Sequence, residues 1–418
     1  MDRSIVVICI TFLMSYLVRS KWFKKLILDF NQTSLRTNEL NIETPGFQLT
    51  KYIPRRFQTG TVSKVASLQD TLLSLLNYRQ YESGRNNRLM DRLRTLSVDR
   101  INTLNQIGYV SKIAQVQNSI SQNAILAETI AQRIIDKFDS QMDTFPEEIS
   151  SLKQLLTLGQ KAQGNQTHRV QEALSHLCRD YNSEFNEREV QPIIQYIKKV
   201  INEKTNTEGK TLIVVPGAGA GYIAYKLAHT FQDVDVTSIE YSGLMYVCQD
   251  YAMQSNGSDP QLSVRPFAQH YSGQQNSDLQ NKEFKLDLLP GKIPTNLTHL
   301  WGDFTEYEPG NKYDTIIVVT AYFIDTAANM FDYIDKMEQL KQCVTETTGN
   351  VHWINAGPLK YGTQPIIQLN CDEISKYIKL QGWSQDCIEI DTDGGDYLTN
   401  RNGLYQGQYT LYKFHTKL

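Results

Sequence analysis

The sequence carries little that marks a metal-bound, disulfide-stapled or nucleic-acid-binding protein. Its six cysteines (Cys9, Cys178, Cys248, Cys343, Cys371 and Cys387) are scattered and form no CxxC pair. Zinc-site and disulfide-framework spacings are therefore missing, and reduced core thiols of an intracellular protein are the expectation. Positive charge is not in excess: 42 Lys+Arg stand against 45 Asp+Glu, a formal net charge of −3. Binding to nucleic acid normally needs a basic face, so no nucleic-acid partner is expected. There are no clear internal repeats and no long low-complexity tracts. No apolar run reaches the ~20 residues of a comfortable membrane span. The one notable run, Ile5 to Val18 (IVVICITFLMSYLV), falls short of that, and no Ala-x-Ala-like cleavage site follows it.

That run still bears on location. Arg19, Lys21, Lys24 and Lys25 follow it, and such a cluster stays on the cytoplasmic side of a membrane. Two readings remain open: a membrane anchor over residues 1–25 that leaves the rest of the chain facing the cytosol, or a buried or interfacial helix of a cytosolic protein. The oligomeric state is open as well.

What is present suits a large folded chain. Hydrophobic residues make up 40% of the 418 and charged residues 21%, enough for a buried core. Residues 26–61 read as an irregular linker broken by Pro45, Gly46 and Pro54. Residues 62–205 read as a helical extension. Leu68, Leu72, Leu73, Leu75 and Leu76 make one apolar stripe, and Ile113, Val116, Ile120, Ile125, Ile130 and Ile134 predict a second long helix. From 206 to 418 the pattern alternates. Strands are predicted at 211–215, 234–240, 297–301, 314–320, 351–355, 383–391 and 405–414, with helices at 220–231, 242–254, 326–343 and 372–382. Such alternation means an α/β sheet with right-handed crossovers.

The chemistry concentrates at the predicted strand ends. Val215-Pro216-Gly217-Ala218-Gly219-Ala220-Gly221 follows a strand and opens a helix. Glycine permits positive φ and close backbone approach, and the helix N-terminus favours an anionic group such as a carboxylate. The spacing is GxGxG, with Tyr222 at the last glycine site of a dinucleotide fingerprint, which disfavours a dinucleotide. Glu240 lies about 20 residues on, where an acidic side chain accepts from both ribose hydroxyls; the alternative is an exposed strand-end carboxylate. Gly302-Asp303-Phe304 follows the third strand. Asp303 suits the adenine amino group and Phe304 the ring face; the alternative is a turn aspartate and a core phenylalanine. Together these point to an adenosyl ligand.

Longer segments carry a resemblance. Leu174 to Tyr181 (LSHLCRDY), Gln191-Pro-Ile-Ile194, Val215 to Gly221, Ile239-Glu-Tyr-Ser242, Arg265-Pro-Phe267 to Ser272, Phe323-Ile-Asp-Thr-Ala327 with Asn329, and Trp353-Ile-Asn-Ala-Gly-Pro-Leu359 resemble the carnosine N-methyltransferases. The resemblance implies a Rossmann-like, seven-stranded class I methyltransferase sheet with an N-terminal helical extension. It implies S-adenosyl-L-methionine as cofactor and methyl transfer to an imidazole nitrogen of carnosine, or of a related histidine-containing small molecule or peptide. By position, Arg179, Gly217, Gly219, Glu240, Asp303 and Phe304 would touch the cofactor, and so would His176, which stands where the family has a glutamine. Asp325 would face the acceptor as the catalytic and substrate-binding carboxylate, with Gly362 and Tyr405 beside it; its alternative role is to cap a helix beginning near Thr326. The family pattern GPLLYH reads Gly357-Pro-Leu-Lys-Tyr-Gly362 here, so the pocket histidine is absent. One pocket tyrosine is kept as Tyr405 and the second falls on Gly407. A membrane-tethered binding or regulatory protein without turnover is the competing function.

Overall fold

The computed structural model describes residues 68–140 and 166–418, apart from short breaks at 206, 208, 254–261, 289–292, 346–348, 363 and 394, together with the strand residues 43–44 and 47–48. Ile5 to Val18 and most of the stretch 26–61 lie outside the described residues. Among the described residues, no helix is long and apolar enough to cross a membrane.

Seven strands make the central sheet: β1 Thr211–Pro216, β2 Asp235–Glu240, β3 Leu297–Trp301, β4 Thr315–Ala321, β5 Asn350–Gly357, β6 Ser384–Asp391 and β7 Leu411–Lys417. Their order is β3-β2-β1-β4-β5-β7-β6. The first five run parallel, and β7 is inserted antiparallel between β5 and β6. This is the Rossmann-like class I methyltransferase arrangement. β1 reads TLIVVP and is buried throughout, as a central parallel strand covered on both faces must be. Phe47–Gln48 pairs with β3, and Glu43–Thr44 pairs with Phe47–Gln48. The segment read as an irregular linker thus contributes two short strands, which occupy the backbone groups that β3 would otherwise expose at the sheet edge.

Two helical layers cover the sheet. On one face α5 Gln191–Lys204 and α6 Tyr222–Thr230 bury Ile193, Ile197, Ile201, Ala224 and Leu227 against β1, β2 and β5. On the other, α8 Met330–Gln339 and α9 Cys371–Leu380 bury Ile334, Met337, Ile374 and Ile378. Reciprocal side-chain and backbone bonds between Asn370 and Glu373 start α9 as a capping box. The predicted helix 326–343 is shorter than expected. It begins at Met330, capped by Asn329, and tightens into a 3-10 turn at Leu340–Cys343.

The N-terminal helices are α1 Leu68–Leu93, α2 Val98–Gln106, α3 Tyr109–Ser140 and α4 Val170–Tyr181. Of these, α2 buries none of its residues, whereas α1, α3 and α4 share one apolar core with α7 Gly243–Met253: Leu72, Leu75, Ile120, Ile130, Leu177, Tyr246 and Trp301 all belong to it. Ile125 does not. It is 43% exposed, because the buried face of α3 runs through Ala124 and Ala127. A second difference affects the site. The last strand, expected at 405–414, begins only at Leu411, so Tyr405 and Gly407 lie in the loop before it. The pattern there misleads because Leu404 and Tyr405 are large but exposed.

Candidate active site

Four loops meet at the carboxyl ends of β1 to β4, the edge where open α/β sheets bind ligands. After β1 the chain turns through Gly217 and Gly219, at φ 62° and 58°, left-handed conformations that disfavour other residues. A Cβ on Gly217 would overlap the Phe323 ring. A Cβ on Gly219 would meet nothing within 4 Å, so open space lies over this peptide. The turn is anchored from behind, where the Tyr181 hydroxyl on α4 donates to the Ala220 carbonyl at 2.9 Å.

Glu240 ends β2. Its Oε2 accepts the Gly219 N–H and its Oε1 the Ser242 N–H, each at 2.7 Å. The residue is 7% exposed, so it is not an exposed strand-end carboxylate. Burial pushes its pKa up to about 7, against the pull of the backbone N–H donors. A carboxylate offers about four lone-pair sites, so two backbone bonds leave capacity for a ligand.

After β3, Asp303 Oδ1 accepts the Thr305 N–H at 2.9 Å and the Thr305 hydroxyl at 2.7 Å. Phe304 is 3% exposed. The turn-aspartate and core-phenylalanine geometry is therefore present. Phe304 also meets Phe323 edge-on, with centroids 6.0 Å apart, and Phe323 stacks on Tyr333 at 4.4 Å. These three rings wall the space beside the glycine turn.

From α4 come His176 and Arg179, both inward-facing. The Arg179 guanidinium packs beside the paired Tyr322 and Tyr397 rings, 5.1 and 4.7 Å from their centroids, which are themselves 4.7 Å apart. Asp180 Oδ1 is 3.5 Å from its Nη1 and Glu189 Oε2 is 3.4 Å from its Nε, yet the buried Nε makes no hydrogen bond. His176 Nε2 is 3.3 Å from the Tyr397 hydroxyl. Burial, then the charge of Arg179, lowers the His176 pKa to about 3, which keeps the ring neutral.

Asp325 sits in the short turn after β4. Its Oδ2 accepts the Lys360 N–H at 2.8 Å, and burial pushes its pKa up to about 6. It does not cap α8, whose first turn is held by Asn329. Nearby is a cavity of about 350 Å³, lined by Tyr397, Tyr405, Gly407, Tyr409, Lys360 and His270 among others. Tyr397 both lines this cavity and packs against Arg179. Tyr405 is 81% exposed at the mouth. Gly362 is exposed, and open space surrounds its Cα.

Sequence reasoning passed over Tyr322, Tyr397, Tyr409 and Glu189. Glu189 is fully buried and accepts the Leu398 N–H at 2.7 Å and the Thr399 N–H at 3.2 Å. It ties the cavity loop to the helical extension. No periodicity singles these positions out: Tyr322, Tyr397 and Tyr409 lie outside helices and strands, and Glu189 lies in a π-helical turn that only the fold brings to them.

Residues 157–418 match the carnosine N-methyltransferase family. The chain belongs to that family. It is 37% identical over 385 residues to an uncharacterized protein of Saccharomyces cerevisiae, covering 85% of this chain and 82% of that one. It is 24% identical to the carnosine N-methyltransferase of Schizosaccharomyces pombe, covering 83% and 94%. With the carnosine N-methyltransferase of Rattus norvegicus it shares 27% identity over 53% of this chain and 55% of that protein. Among solved structures it is similar to magnesium protoporphyrin IX methyltransferase from Synechocystis, with 13% identity, a TM-score of 0.31, and coverage of 54% and 82%. The family and the strand order make this chain a methyltransferase with S-adenosylmethionine as cofactor. The residues present fit that group. Open space over Gly219, a buried carboxylate with spare acceptor sites, an aromatic wall and a buried guanidinium match its sugar hydroxyls, base and amino-acid moiety.

Proposed function

We propose that this chain is an N-methyltransferase that modifies an imidazole nitrogen of carnosine, or of a related histidine-containing small molecule or peptide. In this reading Gly217 and Gly219 present backbone to the cofactor, Glu240 accepts from its ribose hydroxyls, and Asp303 with Phe304 receives the adenine. His176 and Arg179 hold the amino-acid end. The cofactor supplies an already activated methyl group, so the protein's task is to orient the acceptor and exclude water.

The observation that carries the reading is Asp325. Its carboxylate is buried in the turn after β4 and accepts the N–H of Lys360, whose side chain lines the cavity, rather than capping a helix. An attacking imidazole nitrogen must present a free lone pair. Asp325 accepts the N–H of the other ring nitrogen, which fixes the tautomer and points the lone pair away from the carboxylate. As the new N–C bond forms the ring gains positive charge, and the adjacent carboxylate stabilises it. The Phe304, Phe323 and Tyr333 rings keep water from the reacting face.

The test is to incubate the full chain with carnosine and labelled S-adenosylmethionine and to locate the label by NMR and mass spectrometry. Label on an imidazole nitrogen is the expected result. Tight S-adenosylhomocysteine binding with no methylated imidazole, from carnosine or from histidine-containing peptides, would overturn it.

A further inference from the structure

Lys360 stands where the family pattern GPLLYH has its second leucine. Its backbone N–H donates to Asp325 Oδ2 at 2.8 Å. Its ammonium reaches the other way, donating to the Tyr409 hydroxyl at 2.9 Å and lying 5.2 Å from the Tyr409 ring centroid. The side chain lines the cavity with Tyr397, Tyr405 and Tyr409, and among the described residues of that lining it is the sole lysine or arginine. Among the described residues it makes no ion pair. One residue therefore touches the Asp325 carboxylate through its backbone and places in the adjoining cavity a cation that Asp325 attracts but that no carboxylate contacts directly.

We propose that Lys360 is a specificity-determining residue that reads a carboxylate on the methyl acceptor, at the end of the molecule remote from the imidazole. This rests on the imidazole-acceptor reading above. Three points support it. The hydroxyl and ring of Tyr409 already hold the ammonium in place, which reduces the entropy lost when an anion arrives. A single ammonium is a point charge with three donors and suits a monovalent carboxylate. A phosphate would call for several cations or an arginine fork, and the described lining has neither. Finally, Gly362 and Gly407 stand where the family pattern has a histidine and a tyrosine. Neither position carries a side chain here, so attraction for the acceptor must come from other groups near the cavity.

The experiment uses the full chain, saturated with S-adenosylhomocysteine, and two probes: carnosine and its C-terminal carboxamide, which differ in the carboxylate. Calorimetric titration of the wild type is expected to show carnosine binding about two- to fivefold tighter, the range for an ion pair at an exposed lysine. The preference should shrink at high salt. Lys360→Gln should abolish it and leave S-adenosylhomocysteine affinity unchanged, and Lys360→Arg should keep most of it. Equal binding of the two probes by the wild type, with imidazole methylation intact, overturns the assignment of Lys360 alone. So does a preference that survives in Lys360→Gln. Binding of neither probe, with S-adenosylhomocysteine still bound, overturns both this assignment and the acceptor reading.

Discussion

If Glu240 accepts the ribose hydroxyls, cofactor affinity must rise with pH. Only the ionised carboxylate accepts from both hydroxyls, and burial has moved its pKa up to about 7. Below that pH most of the free protein carries a proton that binding must expel. The apparent dissociation constant then grows by a factor of 1 + 10^(pKa − pH), so affinity at pH 6 should be about tenfold weaker than at pH 8. Titration of S-adenosylhomocysteine between pH 6 and 8, in two buffers of different ionisation enthalpy, reads both the slope and the proton released. Glu240→Gln should flatten the slope and weaken binding at pH 8 by at least about tenfold, the loss expected for one charge-assisted hydrogen bond. The same shift acts on stability. The folded pKa is raised above the ordinary 4.5, so the contribution of Glu240 is fully present below about 4.5 and is lost as pH rises through about 7. At pH 8 the ligand-free protein should be less stable by about 3 kcal/mol from this group alone. Saturating ligand should remove most of that difference. A pH-independent affinity, or a slope retained in Glu240→Gln, would refute the ribose role and leave Glu240 as a brace for the Gly219 and Ser242 N–H groups.

Two further outcomes follow from the same geometry. Gly217→Ala places a methyl in the Phe323 ring at a φ of 62°, so cofactor affinity should fall by about tenfold or more, from roughly 1–2 kcal/mol of backbone strain plus the displaced ring; unchanged S-adenosylhomocysteine binding would disprove the close packing. Asp325→Asn should lower kcat/KM for the imidazole acceptor about 100-fold and leave S-adenosylhomocysteine affinity within about twofold, and wild-type turnover should fall as pH drops below about 6, where Asp325 takes up a proton; equal turnover by the variant ends the acceptor role.

Much of the fold was legible in the residues. The run Thr211 to Val215 could only be a buried strand, and the glycines after it could only be a tight turn into a helix. The order of strands and helices specified an α/β sheet because each apolar strand needs a helix on either face. Glu240 and the Gly302-Asp303-Phe304 segment were recognisable because each follows an apolar run at the place where a parallel sheet presents its carboxyl edge. The last strand was misplaced because Leu404 and Tyr405 have strand-like side chains yet remain exposed. Hydropathy cannot separate a buried residue from one that lines the mouth of a cavity.

By itself, then, the sequence determined the sheet, the glycine turn and the carboxylates Glu240 and Asp303 at the strand ends, because these depend on local pattern. Tertiary structure alone decided what surrounds them. It brought Tyr322 and Tyr397 from distant loops onto Arg179, set Glu189 under the Leu398 and Thr399 amides, and turned Asp325 toward the Lys360 peptide instead of a helix cap. Those contacts join residues tens to hundreds of positions apart, linking helices to irregular segments, and no periodicity in the chain records which side chain will face which.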